Sequence, residues 1–219
     1  MSAKLESMGV RALLEVEVGQ GSLAPTSVRR CLAWVALGGV AYGACMGSFG
    51  LRPLQCLISA IKTPLLISAG GLFCIPSFYV INNLLGLRED FGQALRGIAS
   101  SQAAVAVCLA SLGPITLVLY SGTDQYAFAK ALNGVMFLFA SLGGQIVLAR
   151  NYRTLIQRNP RHRVALFAWL TLFWFVTIQL AWMLRPFIGQ PNDPTTFLRA
   201  DSWGNAYVEV WRTIVNSLR

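Results

Sequence analysis

A chain of 219 residues that is 55% hydrophobic and only 12% charged is too apolar for an ordinary soluble domain. Its net charge of +9 would suit a nucleic-acid binder, but the richest cationic stretch, residues 150–163, carries no interleaved aromatics apart from Tyr152, which argues against that class. Once the apolar stretches are set aside, no remaining piece is long enough to bury a core of its own.

Residues 1–30 form a cytoplasmic N-terminal arm in which Leu5, Met8, Ala12 and Val16 suggest a helix of modest periodicity. Glu6, Glu15 and Glu17 precede the first apolar run, against a cleaved signal peptide. Gly19, Gly21 and Pro25 then read as a linker. Five charge-free stretches follow, at residues 31–51, 63–87, 97–123, 131–149 and 164–184. Each is roughly 19 to 27 residues long, enough for a helix to cross about 30 Å of hydrocarbon. The fold class is therefore all-α, a polytopic transmembrane helix bundle of about five spans over residues 31–184, with short interfacial amphipathic helices and a C-terminal tail over 185–219.

In span one, Gly39, Gly43 and Gly47 recur every four residues and lie on one helical face, a helix-packing or partner face of the small-xxx-small kind. Leu54, Leu57, Ile58 and Ile61 share a face, so residues 54–61 read as a short interfacial helix before Pro64. Span two carries Pro76 and ends in Asn82, Asn83 and Gly86, predicting a kink and then a polar turn. The Arg88, Glu89, Asp90 loop invites local ion pairing. Span three holds Gln102 and a Gly113-Pro114 pair, and the short loop after it makes spans three and four antiparallel neighbours. Gly134, Ala140, Ser141, Gly143 and Gly144 suit close helix contact in span four. The tryptophans toward the ends of span five suit an aromatic belt, and those nearer its middle, such as Trp174, face helices or lipid. In the tail, Tyr207, Trp211, Ile214 and Leu218 form the apolar stripe of an amphipathic helix.

The distribution of charge assigns sides. With the N-terminus inside, eleven of the eighteen basic residues fall on the cytoplasmic side, including Arg150, Arg153, Arg158, Arg161 and Arg163 in the loop between spans four and five. These five arginines are candidate contacts for anionic lipid headgroups. The C-terminus is then outside, and the arginine-over-lysine bias suggests a bacterial inner membrane. Arg185 closes span five, where it snorkels or pins the tail by pairing with Asp193 or Asp201.

Catalysis within the membrane needs ionisable groups at depth, and the charge-free stretches hold none, so no catalytic, cofactor or metal residues are assigned. His162, between Arg161 and Arg163, reads as a solvated side chain, and the five cysteines, without a CxxC pair, as packing residues. The polar groups at depth are amides and hydroxyls, and Asn82, Asn83, Gln102, Gln145 and Gln179 either bond between helices or line a polar path.

The five-span layout, the Lys62-Thr63-Pro64 entry and the Pro76, Asn83, Gly86 pattern of span two resemble the Yip1 family of small five-span integral membrane proteins. The likeness covers residues 31–184. It implies a membrane adaptor that engages protein partners. The acidic, tyrosine-containing signature before the family's first span, linked to small GTPases, is missing here, and no functional residue carries over. The expectation is a non-enzymatic integral membrane scaffold or accessory subunit with membrane protein partners or a homo-oligomeric state. The alternative is a small-solute permease or channel lined by Asn, Gln and Thr side chains.

Overall fold

The computed structural model describes residues 28–189, 195–198 and 208. The expected arm helix, the tail stripe, Asp193 and Asp201 lie outside them. Five helices are long and apolar enough to cross a membrane: α1 (Val28–Gly47), α2 (Pro53–Leu84), α3 (Phe91–Ser121), α4 (Tyr126–Arg158) and α5 (His162–Met183). A short 3-10 turn, Phe49–Leu51, joins α1 to α2. Among the described residues there is no strand, and the architecture is an all-helical, five-span bundle.

Local chemistry ends the helices where they must turn. At the end of α2, Gly86 takes φ 73°, Leu87 N–H donates to Asn82 O at 2.8 Å and Gly86 N–H to Asn83 O at 3.1 Å. That paired closure satisfies the last carbonyls, and the left-handed residue it needs is the glycine of the expected polar turn. At the end of α4, Asn159 Oδ1 accepts from Arg161 N–H at 3.0 Å and Pro160 cannot continue the helix, so the chain reverses within three residues. Pro64, Pro76 and Pro114 remain inside continuous helices.

α1 is the hub, packed along both α2 and α3, while α3 pairs with α4 as its short loop requires and α2 pairs with α5. The glycine ladder of α1 lies against α2. A β-carbon on Gly39 would sit 2.8 Å from Pro64 Cα, one on Gly43 2.8 Å from Ala60 Cα, and one on Gly47 2.6 Å from Cys56 Cα. The backbones are close enough for the Cys56 thiol to donate to Ala44 O at 3.2 Å. The ladder is thus covered within the chain. In α4, Gly144 has the same role, with Ser101 O of α3 3.0 Å from where its β-carbon would stand.

Several expectations need correction. Residues 54–61 are not a separate interfacial helix but the first turns of α2. The Arg150 to Arg163 segment is not a loop either: Arg150, Arg153 and Arg158 ride on α4, Arg161 is in the turn and Arg163 in α5, and all five are exposed. With 33 residues α4 is about 50 Å long, more than a bilayer core of about 30 Å needs, and Arg150, Arg153 and Arg158 lie in its last nine residues. His162 is fully buried, its Nε2 3.0 Å from Asp90 Oδ2 and its ring edge-on to Tyr152, so the charge it meets is an acid from the α2–α3 turn rather than water. Asp90 is thereby drawn into a tertiary contact instead of local pairing with Arg88. Trp169 belongs to no belt: it is fully buried against Phe78 and Phe173.

Candidate functional site

Although α4 and α5 are joined by a tight turn, they touch sparingly. Their shared packing is at the arginine-bearing end, where Leu148, Tyr152 and Leu155 meet Ala165 and Trp169. Toward the opposite end they form two walls of a cavity of about 700 Å3, within the range of roughly 300 to 1,000 Å3 typical of ligand sites. On α4 it extends from Tyr126 to Ser141, about 22 Å of helix, and on α5 from Trp182 to Trp174. Leu138 and Ile178 line it while remaining 48% and 45% exposed, so the cavity opens sideways between the helices. Gly134 faces open space, with nothing within 4 Å of where a β-carbon would stand.

The end of this cavity is built from the first turns of α2 and the chain that follows α5. Gln55, Ser59, Lys62 and Thr63 share one face of α2, and all are 0% exposed, whereas Leu54, Leu57 and Ile61 on the other face are more than half exposed. This amphipathic segment is inside out relative to a soluble helix. The buried polar face binds the non-helical stretch Arg185 to Gly189. Lys62 Nζ donates to Pro186 O at 2.7 Å, Gln55 Nε2 donates to Phe187 O at 3.0 Å, and Ser59 Oγ also donates to Phe187 O. Irregular backbone is tolerated at membrane depth only where protein groups satisfy its carbonyls, and these three side chains do so. Lys62 also lies 5.9 Å from the Phe187 ring centroid and 5.0 Å from that of Phe197. Arg52 Nη2 donates to Thr195 Oγ1 at 2.8 Å, tying a later part of the tail to the start of α2.

A second polar group stands at the cavity wall. Asn133 of α4, 4% exposed, accepts from Tyr42 OH of α1 at 2.8 Å and donates to Tyr120 OH of α3 and to Ala129 O at 2.7 Å. One amide therefore joins three helices. We expect Asn133→Ala to lower the unfolding free energy in detergent by roughly 1 to 3 kcal/mol, because the buried Tyr42 hydroxyl loses this acceptor and the half-buried Tyr120 hydroxyl, which still donates to Met46 O, loses a donor. A melting temperature within error of wild type would refute this role.

The amides singled out from sequence do not assemble into a path. Asn82 is buried and donates to Phe78 O at 2.8 Å within its own helix, whereas Asn83 is exposed. Gln102 faces Gly71 and lines a separate, mostly apolar cavity of about 360 Å3 between α1, α2 and α3. Gln145 is on α4 and Gln179 on α5, and none of the five lines the larger cavity. Arg185 does line that cavity, its guanidinium 3.2 Å from the Trp182 ring centroid, while the acids expected to pair with it lie outside the described residues.

The residues that build the site, Gln55, Ser59, Lys62, Lys130 and Asn133, were not among the expected site residues. A signal existed for the first three, which recur at helical spacing opposite Leu54, Leu57 and Ile61. The five cysteines are free thiols, with Cys31 and Cys74 buried. No family model matches this chain, and no curated protein or solved structure matches it either.

Proposed function

We propose that the chain is a non-enzymatic integral membrane protein that admits an amphiphilic small molecule from the bilayer between α4 and α5 and holds it in the cavity behind them. The observation that carries this reading is the cavity itself: mostly apolar, open to the side, and closed at one end by Pro186 and Phe187, which Lys62 and Gln55 hold. Its reach also favours binding over conduction. Beyond Trp174, toward the arginine-bearing end, Trp169, Phe173, Leu148 and Tyr152 fill the space between the helices, so the cavity does not continue as a tunnel among the described residues. In this reading the exposed arginines of α4 and α5 lie on the cytoplasmic side beside anionic headgroups, and the cavity belongs to the outer leaflet of a bacterial inner membrane.

Gly134→Phe is the direct test, since it fills the cavity from a position with free space. Wild-type protein purified in mild detergent should retain a stoichiometric amphiphile detectable by mass spectrometry. The variant should lose it while keeping the wild-type melting temperature. Equal retention by both proteins, or none by wild type, would overturn the proposal.

The accessory-subunit reading keeps one specific support. Only 17% of the apolar window of α5 is buried in the bundle, and Val164 and Phe167 point outward at 56% and 71% exposure, which favours a membrane partner or a second copy on that face. The glycine ladder no longer serves that reading, and the Yip1-like layout remains an expectation.

A further inference from the structure

We infer that the smaller cavity, between α1, α2 and α3, is a second binding site, and that it takes a small neutral molecule, mostly apolar, whose one hydroxyl group meets the amide of Gln102. The inference is independent of the space between α4 and α5. From Gly38 onward α1 is held tightly on two sides: its glycines bring it onto α2, and a β-carbon on Gly38 would stand 2.6 Å from Ala106 O of α3. Toward its first residues α1 carries Leu32 and Val35 instead, side chains that keep backbones apart, and the three helices part around about 360 Å3. The wall covers residues 28–35 of α1, 68–75 of α2 and 95–102 of α3, two helical turns of each, so the cavity is about 10 Å long. Leu32 and Leu72 line it while remaining 54% and 64% exposed, which opens it sideways to lipid between α1 and α2.

The polar group is at one end of this space. Gln102 is 7% exposed, and its Cδ and Nε2 each stand 3.8 Å from where a β-carbon of Gly71 would be, with Gly71 itself part of the wall. Neither Oε1 nor Nε2 has a hydrogen-bond partner among the described residues. An amide buried about 16 Å along a helix in lipid, where no water reaches it, carries the full cost of its lost hydration. A leucine would fill the same place without that cost. A guest that bonds the amide removes it, and a hydroxyl can either donate to Oε1 or accept from Nε2. Ser68, one turn from Gly71 on α2, adds its own hydroxyl to the wall at the same end. Among the described residues the wall has no charged side chain, so an ion would enter unpaired and a neutral guest would not. The rest of the wall, from Val28 and Leu32 to Leu72, Ile75 and Leu95, is apolar and suits the hydrocarbon part of the guest.

The test is photolabelling of the full-length protein in lipid nanodiscs with a diazirine-bearing octanol, the labelled residues being mapped by mass spectrometry. Insertion should concentrate in residues 28–35, 68–75 and 95–102, and octanol should suppress it about tenfold more effectively than octane at equal membrane concentration. Gln102→Leu should bring the two competitors level and should melt at or above the wild-type temperature, because it removes an unpaired amide. A lower melting temperature would show that the amide is bonded within the fold and would overturn the inference. Ala99→Phe, which adds a ring at the wall, should abolish the labelling, whereas Gly134→Phe, altered only in the larger cavity, should leave it unchanged. Equal protection by octanol and octane in the wild type would overturn the role of Gln102. Labelling that neither compound reduces would leave water as the only occupant and overturn the site. Labelling confined to α4 and α5 and lost in Gly134→Phe would place the probe in the larger cavity, overturning this inference while supporting the reading above.

Discussion

Gly43→Leu is expected to abolish the folded, monodisperse protein, while Gly134→Leu leaves it intact. Both glycines lie in apolar spans, and helix propensity alone would make either substitution favourable. Their surroundings differ completely. At Gly43 the first side-chain carbon would meet Ser59 and Ala60 backbone, which can move only if α2 moves, and α2 is held along its length by the same ladder at Gly39 and Gly47. Overpacking a rigid contact typically costs about 1 to 3 kcal/mol. Here the obstacle is backbone on a second helix, so the loss should reach or exceed the upper figure. At Gly134 nothing stands within 4 Å. Size-exclusion profiles and thermal melts of the two variants, expressed side by side, decide the matter, and equal behaviour would refute the packing role of the ladder.

Lys62→Glu should release the stretch after α5 from the bundle. In wild type the ammonium donates to Pro186 O, beside a second carbonyl, Phe187 O, that is held by Gln55 and Ser59. A carboxylate there presents an acceptor to acceptors in a buried site and reverses an attraction worth roughly 1.5 to 3 kcal/mol for a charged hydrogen bond. Amide exchange at Phe187 and Ile188 should therefore accelerate by about 10- to 100-fold. Lys62→Met, which removes the donor without adding repulsion, should produce a smaller increase. Because Pro186, Phe187 and Ile188 also line the cavity, the loosened variant should lose its retained amphiphile as well. Unchanged exchange in both variants would show that the stretch is held by something other than Lys62.

The elements and their chain order were legible because their determinants are local. A helix in lipid satisfies its own backbone, so uninterrupted apolar length reports a span directly, and Gly86 and the residues around Pro160 announce turns through their backbone chemistry. The site was not legible, for two reasons that particular residues illustrate. Treating charge as a boundary placed Lys62 outside span two, although it continues the helix and is fully buried. The apolar stripe at Leu54, Leu57 and Ile61 reads as the membrane-facing side of a short interfacial helix, whereas in the bundle it is the exposed face of the first turns of α2 and the polar residues opposite are the buried ones. His162 failed in the same way: its sequence neighbours are arginines, but its partner Asp90 comes from a turn 72 residues earlier.

Sequence by itself determined that this is a membrane protein of five long helices in this chain order, and that α1 carries a face capable of close approach. The tertiary structure alone decided which helix covers that face, that α4 and α5 separate at one end despite their short connection, and that Gln55, Lys130, Asn133 and Arg185 line the resulting space. The physical reason is the solvent. In water, apolar surface is driven inward, so a hydrophobic stripe points to the core. In a bilayer the surroundings are as apolar as the interior, and the choice of buried face falls to backbone fit at small residues and to the pairing of polar groups across helices. Those are relations between distant parts of the chain, which no local window contains.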